Sequence, residues 1–191
     1  MTDKKILRKH FKDIRSGMSL IEREQADKAV QQALLSSREY KDCSMLLVYV
    51  SSDIEVSTAE IISEALKSKT VLCPRCEKSG NVMNFYKIES TDDLKEGRFG
   101  IFEPDKNCEL CSDLENAVCI VPALSYDKNG YRLGFGMGFY DRFLADFKGL
   151  KLGLCYENCL SKSLVHDSYD IPVDKIFTDK DIYTINTKER K

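Results

Sequence analysis

The chain has 191 residues, the size of one domain and long enough to bury a core without disulfides or metal. Its 29 basic residues nearly balance 31 acidic ones, so it lacks the basic excess of a sequence-independent nucleic-acid binder. The sequence contains neither an apolar run of about 20 residues that would span a bilayer nor a signal-peptide core at its N-terminus, and a cytoplasmic protein is the expectation.

Residues 3–16 predict an amphipathic helix. Leu7, Phe11 and Ile14 recur at helical spacing, and Lys4, Lys5, Arg8, Lys9, Lys12 and Arg15 fall on other faces. Ser19-Leu-Ile-Glu22 reads as a capping box that opens a second helix to about Ser37. Met45–Val50 (MLLVYV) is a short continuous apolar run, as in a strand buried on both faces. Ser57 is then expected to cap a helix to about Lys67, with the next strand at Thr70–Cys73. That order implies parallel pairing through a right-handed crossover.

Val82–Ile88 and Ala117–Val121 are further strand candidates, and Asp127-Lys-Asn-Gly130 is a turn signal. Phe139–Phe147 suits a helix, while Leu152–Tyr156 and Lys175–Thr178 read as late strands. With no repeat, low-complexity tract or linker, residues 1–191 form one α/β domain, its mostly parallel sheet flanked by helices.

Eight cysteines include two CxxC pairs, Cys73/Cys76 and Cys108/Cys111. These lie further apart than the ~15–20 residues of the common zinc pattern. Cys73 ends an apolar run, where a thiol behaves as a small hydrophobe, and Cys43, Cys119, Cys155 and Cys159 fit neither pair. Free thiols are expected ahead of structural zinc or disulfides.

The most informative stretch is Pro122–Leu144, PALSYDKNGYRLGFGMGFYDRFL. Gly134, Gly136 and Gly138 fall within it. Closely spaced glycines let backbone N–H groups approach an anion, and a following helix adds the positive end of its dipole. Arg132 precedes the glycines and offers a planar cation for phosphate oxygens; Asp141 follows them, placed to hold Mg²⁺ on that phosphate. The spacing is neither GxGxxG nor the P-loop, so a turn that only packs a helix on a strand stays open.

The same stretch resembles the signature of the 5-formyltetrahydrofolate cyclo-ligase family: PALSYD followed by GYRLGFGMGFYDRFL. Other segments agree in order: Lys4, Arg8 and Arg15 at the start, then YVSSDIEVST, CPRCEKSGNVMNFYKI, FGIFEP and DIPVDKIFTD. Departures are Ala123 for a usual glycine, Phe135 and Phe139 for usual tyrosines, and Tyr169 where a histidine often precedes Asp170, with His166 just upstream.

The resemblance implies a NagB/RpiA/CoA-transferase-like fold and an ATP-dependent ligase of one-carbon metabolism. ATP and Mg²⁺ are the implied co-reactants, and 5-formyltetrahydrofolate is cyclised to 5,10-methenyltetrahydrofolate. It assigns ATP to Lys4, Lys5, Arg8, Arg132, Leu133, Gly134, Phe135, Gly136, Met137, Gly138, Phe139 and Tyr140. Lys4, Arg132 and Tyr140 are the implied catalytic groups. Val50, Glu55 and Tyr140 are implied for the folate, with Phe85, Phe99 and Tyr156 as stacking candidates. Asp141 and Asp174 are implied for Mg²⁺. A monomer or weak dimer acting on small molecules, without nucleic acid or membrane, is expected. Competing readings are a sugar-phosphate isomerase-like enzyme on the same fold, or a zinc or nucleic-acid-binding module built on the CxxC pairs.

Overall fold

The computed structural model describes residues 3–77, 82–97 and 100–185. Helix α1 (Lys4–Gly17) starts at Asp3, whose carboxylate accepts the Lys5 backbone N–H at 2.9 Å. Helix α2 (Leu20–Ser36) opens on the capping box of Ser19 and Glu22, with both reciprocal bonds formed. A short helix α3 (Arg38–Asp42), which the apolar pattern does not announce, follows directly on Ser37.

Strands β1 (Met45–Leu47), β2 (Thr70–Cys76), β3 (Met83–Ile88), β6 (Val118–Val121), β9 (Leu150–Leu154), β11 (Lys175–Phe177) and β12 (Ile182–Thr184) form one sheet. Its order is β12-β11-β9-β6-β1-β2-β3. The five inner strands are parallel; β3 and β12 close the two edges antiparallel. Every residue of β6 is buried, which requires cover on both faces of the sheet. Helix α2 packs on β11 and on α4 (Ala59–Ala65), α4 on β2, and α5 (Phe139–Asp146) on β3.

Two small sheets decorate this frame. Strands β4 (Leu94–Glu96) and β5 (Phe102–Pro104) pair antiparallel. A hairpin of β7 (Ser125–Asp127) and β8 (Arg132–Leu133), with β10 (Leu160–Ser161) alongside β7, carries the chain into the glycine-rich segment. The Asp127–Gly130 turn closes this hairpin, and the Asp127 carboxylate accepts the Asn129 and Tyr131 N–H groups.

Two expectations need correction. The cap of α4 is Thr58 rather than Ser57, and its hydroxyl donates to the Tyr49 carbonyl instead of satisfying the helix. Arg15 does not fall on a face apart from the apolar stripe of α1. It follows Phe11 by one turn on the apolar stripe and is completely buried.

The acceptors of Arg15 are backbone carbonyls: Ile54 at 2.8 Å, Ala123 at 2.8 Å, and Leu124 at 3.1 and 2.9 Å. Its guanidinium also sits 5.2 Å from the Tyr156 ring centroid. Replacing Arg15 by Met keeps the apolar stem and leaves these carbonyls unpaired, at about 1–3 kcal/mol each before relaxation. Relief from burying a charge offsets part of that. Arg15→Met is therefore expected to destabilise the fold by about 3 kcal/mol, read as a lower urea midpoint at unchanged slope. An unchanged midpoint contradicts the assignment.

Candidate active site

Helix α1 and the glycine-rich segment meet through Arg8. Its Nε donates to the Gly134 carbonyl at 2.9 Å, and its guanidinium passes so close to Gly136 that a Cβ there would approach it to 3.3 Å. Gly136 and Gly138 have φ of 107° and 66°, values that favour glycine, and Gly138 is the N-cap of α5. A Cβ on Gly134 would meet nothing within 4 Å, so its backbone faces open space. Beside this loop stand Arg8, Arg132 and the N-terminus of α5, the setting that favours an anion.

The other expected phosphate residues divide. Arg132 is nearly buried, donates one Nη to the Ile171 carbonyl and ion-pairs through the other with Asp141 on α5. Lys4 lies one helical turn before Arg8 and donates to Asp167 Oδ2 at 2.8 Å and Asp170 Oδ2 at 2.9 Å. Burial pulls the Lys4 ammonium down, but the hydrogen bonds of the two aspartates outweigh it, and it titrates above its ordinary value. Lys5 is exposed, Leu133 is a core residue, and the side chains of Phe135 and Met137 are exposed. Phe139 is half-buried against the core.

At the C-terminal end of β1, half-buried Val50 leads into the loop that carries Glu55. The Glu55 carboxylate accepts the Ser52 N–H at 2.9 Å and the Ser52 hydroxyl at 2.8 Å. Burial raises its pKa, opposed by the Ser52 hydrogen bonds and by Arg15. Tyr140, in the first turn of α5, sends its hydroxyl into the protein, where among the described residues it finds no hydrogen-bond partner. Burial pushes that hydroxyl well above its ordinary value; Cys119, Glu55, Tyr49 and Cys73 are its ionisable neighbours. A buried phenol without a partner is uncommon.

Asp141 fits a Mg²⁺ ligand, because this cation needs only one or two protein carboxylates beside phosphate oxygens. Asp174 is elsewhere engaged: it opens β11 and accepts both the Lys151 backbone N–H at 2.9 Å and the Lys151 ammonium at 3.1 Å. The parallel strands thus put Asp174 at the end opposite Glu55. Among the described residues no group of three His, Cys, Asp or Glu side chains is arranged to hold a metal. The eight cysteines are free thiols, and Cys73 is fully buried on β2.

Phe85 packs its ring 4.6 Å from Phe143 in the core, and Tyr156 hydrogen-bonds Asp27 at 2.8 Å; Phe99 lies outside the described residues. Sequence reasoning gave no role to Asp167 or Asp170, whose partner Lys4 lies far away in the chain, nor to Ser52, which bonds Glu55 three residues on. The burial of Arg15 had a signal, its place on the Leu7–Phe11–Ile14 stripe.

The model of the 5-formyltetrahydrofolate cyclo-ligase family matches residues 1–179. The 5-formyltetrahydrofolate cyclo-ligase of Haemophilus influenzae is 28% identical over 173 residues, covering 87% of this chain and 92% of the relative. The mitochondrial 5-formyltetrahydrofolate cyclo-ligase of Arabidopsis thaliana is 30% identical, covering 89% of this chain and 69% of the relative. The solved 5,10-methenyltetrahydrofolate synthetase of Aquifex aeolicus superposes with a TM-score of 0.84 at 35% identity, covering 96% of this chain and 93% of that one. The α/β fold, the signature arm and a match along nearly the whole length agree: the chain belongs to the 5-formyltetrahydrofolate cyclo-ligase family.

Proposed function

We propose that the protein uses ATP to close the formyl group of 5-formyltetrahydrofolate onto N10, giving 5,10-methenyltetrahydrofolate, ADP and phosphate. The observation that carries this reading is the position of Tyr140. It follows the glycine loop and precedes Asp141, and its hydroxyl, unpartnered among the described residues, has Glu55 among its ionisable neighbours. One residue therefore stands on the anion-binding arm while the charge of Glu55, a carboxylate that suits an amino-pyrimidine edge, acts on its hydroxyl. The same reading takes the cytosol as its compartment and a monomer or weak dimer as its working form; among the described residues no helix is long and apolar enough to cross a membrane.

The chemistry needs positioning more than a protein nucleophile. A formyl amide is a poor electrophile, and its oxygen is a poor leaving group. Attack of that oxygen on the γ-phosphorus of ATP expels ADP and leaves an imidate-like phosphate. The N10 lone pair then adds to the activated carbon. N10 releases its proton, the C–O bond breaks, and phosphate departs carrying the former formyl oxygen. Lys4, Arg8 and Arg132, with the N–H groups around Gly134–Gly138, hold the phosphates and offset charge on the moving group. Leu133, Phe135, Met137 and Phe139 contribute backbone or edge contacts, and Lys5 adds positive field from the helix surface. Glu55 orients the pterin beside Val50. Tyr140, protonated because burial disfavours its anion, donates to the formyl oxygen. Bound Mg²⁺ would supply neutralising charge to the phosphates, and Asp141 is the carboxylate placed to hold it.

Mixing the protein with 5-formyltetrahydrofolate, Mg²⁺ and ATP is expected to raise absorbance in the methenyl-folate band, and only when ATP is present. No rise overturns the proposal. Arg132→Lys keeps the charge but loses the fork, and is expected to raise the KM for ATP at least about tenfold with the folate KM little changed. The reverse pattern contradicts the assignment of Arg132 to phosphate.

Glu55 gives a second, opposite signature. Its folded pKa is raised, so the stability it contributes is full below the unfolded carboxylate pKa and is lost as pH rises through the folded value. Glu55→Gln keeps an acceptor for Ser52 without the buried charge. It is expected to raise the unfolding midpoint at neutral and alkaline pH, with the gain fading toward acid, while raising the folate KM. Lower stability at neutral pH, or an unchanged folate KM, contradicts this role.

A further inference from the structure

The segment from Leu164 to Val173 lies outside the glycine signature, yet it is fastened along the hairpin that leads to it. At one end the Leu164 N–H donates to Asp127 Oδ2 at 2.9 Å. His166 then stacks on Tyr131, with centroids 3.6 Å apart and rings 4° from parallel. At the other end the Val173 N–H donates to the Gly130 carbonyl at 2.9 Å. The segment is thus anchored at both ends on the β7–β8 turn.

Between the anchors, two consecutive residues each hold one of the cations read above as phosphate ligands. Asp170 Oδ2 accepts Lys4 Nζ at 2.9 Å and the Asp167 N–H at 2.8 Å. The Ile171 carbonyl accepts Arg132 Nη1 at 2.5 Å. A lysine ammonium has three donors. Asp167 and Asp170 take two, which fixes the direction of the third. The carboxylates therefore aim Lys4 rather than block it. The side chain of Asp170 is only 13% exposed, so this pair is less screened than a surface contact. The outer partner, Asp167, is 48% exposed and gives the weaker hold.

We infer that Asp170 is a positioning residue for ATP: it sets the Lys4 ammonium of α1 in fixed relation to Arg132, through a brace that holds both cations at adjacent residues. The inference rests on the reading of Lys4 and Arg132 as phosphate ligands. It assigns a job to a carboxylate whose hydrogen bonds among the described residues go to Lys4 and the Asp167 N–H, not to the glycine loop or Glu55. A flexible lysine at a phosphate site loses side-chain freedom on binding; a braced one has already lost it.

The test is a double-mutant cycle read as separate KM values for ATP and formyl-folate, with unfolding midpoints alongside. Asp170→Ser leaves a short acceptor for the Asp167 N–H but withdraws the carboxylate from Lys4. It is expected to raise the ATP KM about tenfold, the scale of one charge-assisted hydrogen bond, with the folate KM within about twofold. Asp170→Asn, which keeps an oxygen in reach of Lys4, is expected to recover most of the loss. In a Lys4→Ala background, Asp170→Ser should add nothing further. If Lys4→Ala raises the ATP KM and Asp170→Ser adds its full effect on top, the brace is wrong while the phosphate reading stands. If Lys4→Ala leaves the ATP KM unchanged, the reading of Lys4 and the brace fail together. If Asp170→Ser changes only the unfolding midpoint, or shifts both KM values alike, the residue is structural and the inference falls. Should Asp170→Ser not fold, Asp170→Asn in both backgrounds decides the case: any ATP KM effect it has must disappear with Lys4→Ala.

Discussion

A guanidinium without a carboxylate partner lies at the centre of this protein. Arg15 is fully buried, and its donors go to the carbonyls of Ile54, Ala123 and Leu124. Among the described residues no carboxylate lies within ion-pair distance of it. Burying such a charge gains little net stability, because desolvation consumes most of what the hydrogen bonds return. What it gives is geometry. Ile54 precedes Glu55, and Leu124 precedes the hairpin that carries Arg132. Arg15 itself belongs to the helix that carries Lys4 and Arg8. One side chain therefore fixes the carboxylate loop, the arginine hairpin and the cationic helix relative to one another. Arg23 of α2 reinforces the joint by donating to the Arg15 and Asp53 carbonyls.

The charges around the site are mostly paired. Three cations are matched by carboxylates from elsewhere in the fold: Lys4 by Asp167 and Asp170, Arg132 by Asp141, and Lys151 by Asp174; Arg8 instead donates to the Gly134 carbonyl. Beneath them Cys119, its thiol pushed up to about 12 by burial, has Arg132 and Lys151 as opposing neighbours. Without ligands the arm is close to neutral, which limits repulsion among its cations. On the proposed reading, phosphate takes over part of the role of Asp141 at Arg132 and frees that carboxylate for Mg²⁺. The Lys4 pair differs, since its ammonium has a donor to spare.

The sequence showed the local parts well. The capping box at Ser19, the buried strand at Val118–Val121 and the hairpin turn at Asp127–Gly130 each depend on residues close in the chain. The glycine arm was legible for the same reason, and its chemistry became specific only through the length of the family signature. What could not be read depends on distant partners. Lys4 and Arg8 carry the same charge one helical turn apart, yet one meets Asp170 and the other the Gly134 carbonyl. Asp174 carried a family expectation, but nothing nearby in the chain reveals that Lys151 holds it. Arg15 was placed off the apolar stripe with the other charges because its type outweighed its position. Periodicity was the better guide there.

The most direct measurement follows the formyl oxygen. On the proposed reading the cationic glycine arm holds the phosphates of ATP and Glu55 holds the pterin, so that oxygen should receive the γ-phosphoryl group of ATP. Turnover of 5-formyltetrahydrofolate carrying a heavy-oxygen label in the formyl group is expected to place the label in the released inorganic phosphate. Label found in water, with unlabelled phosphate, would mean that ATP is hydrolysed apart from the cyclisation, and the account of the site would be wrong.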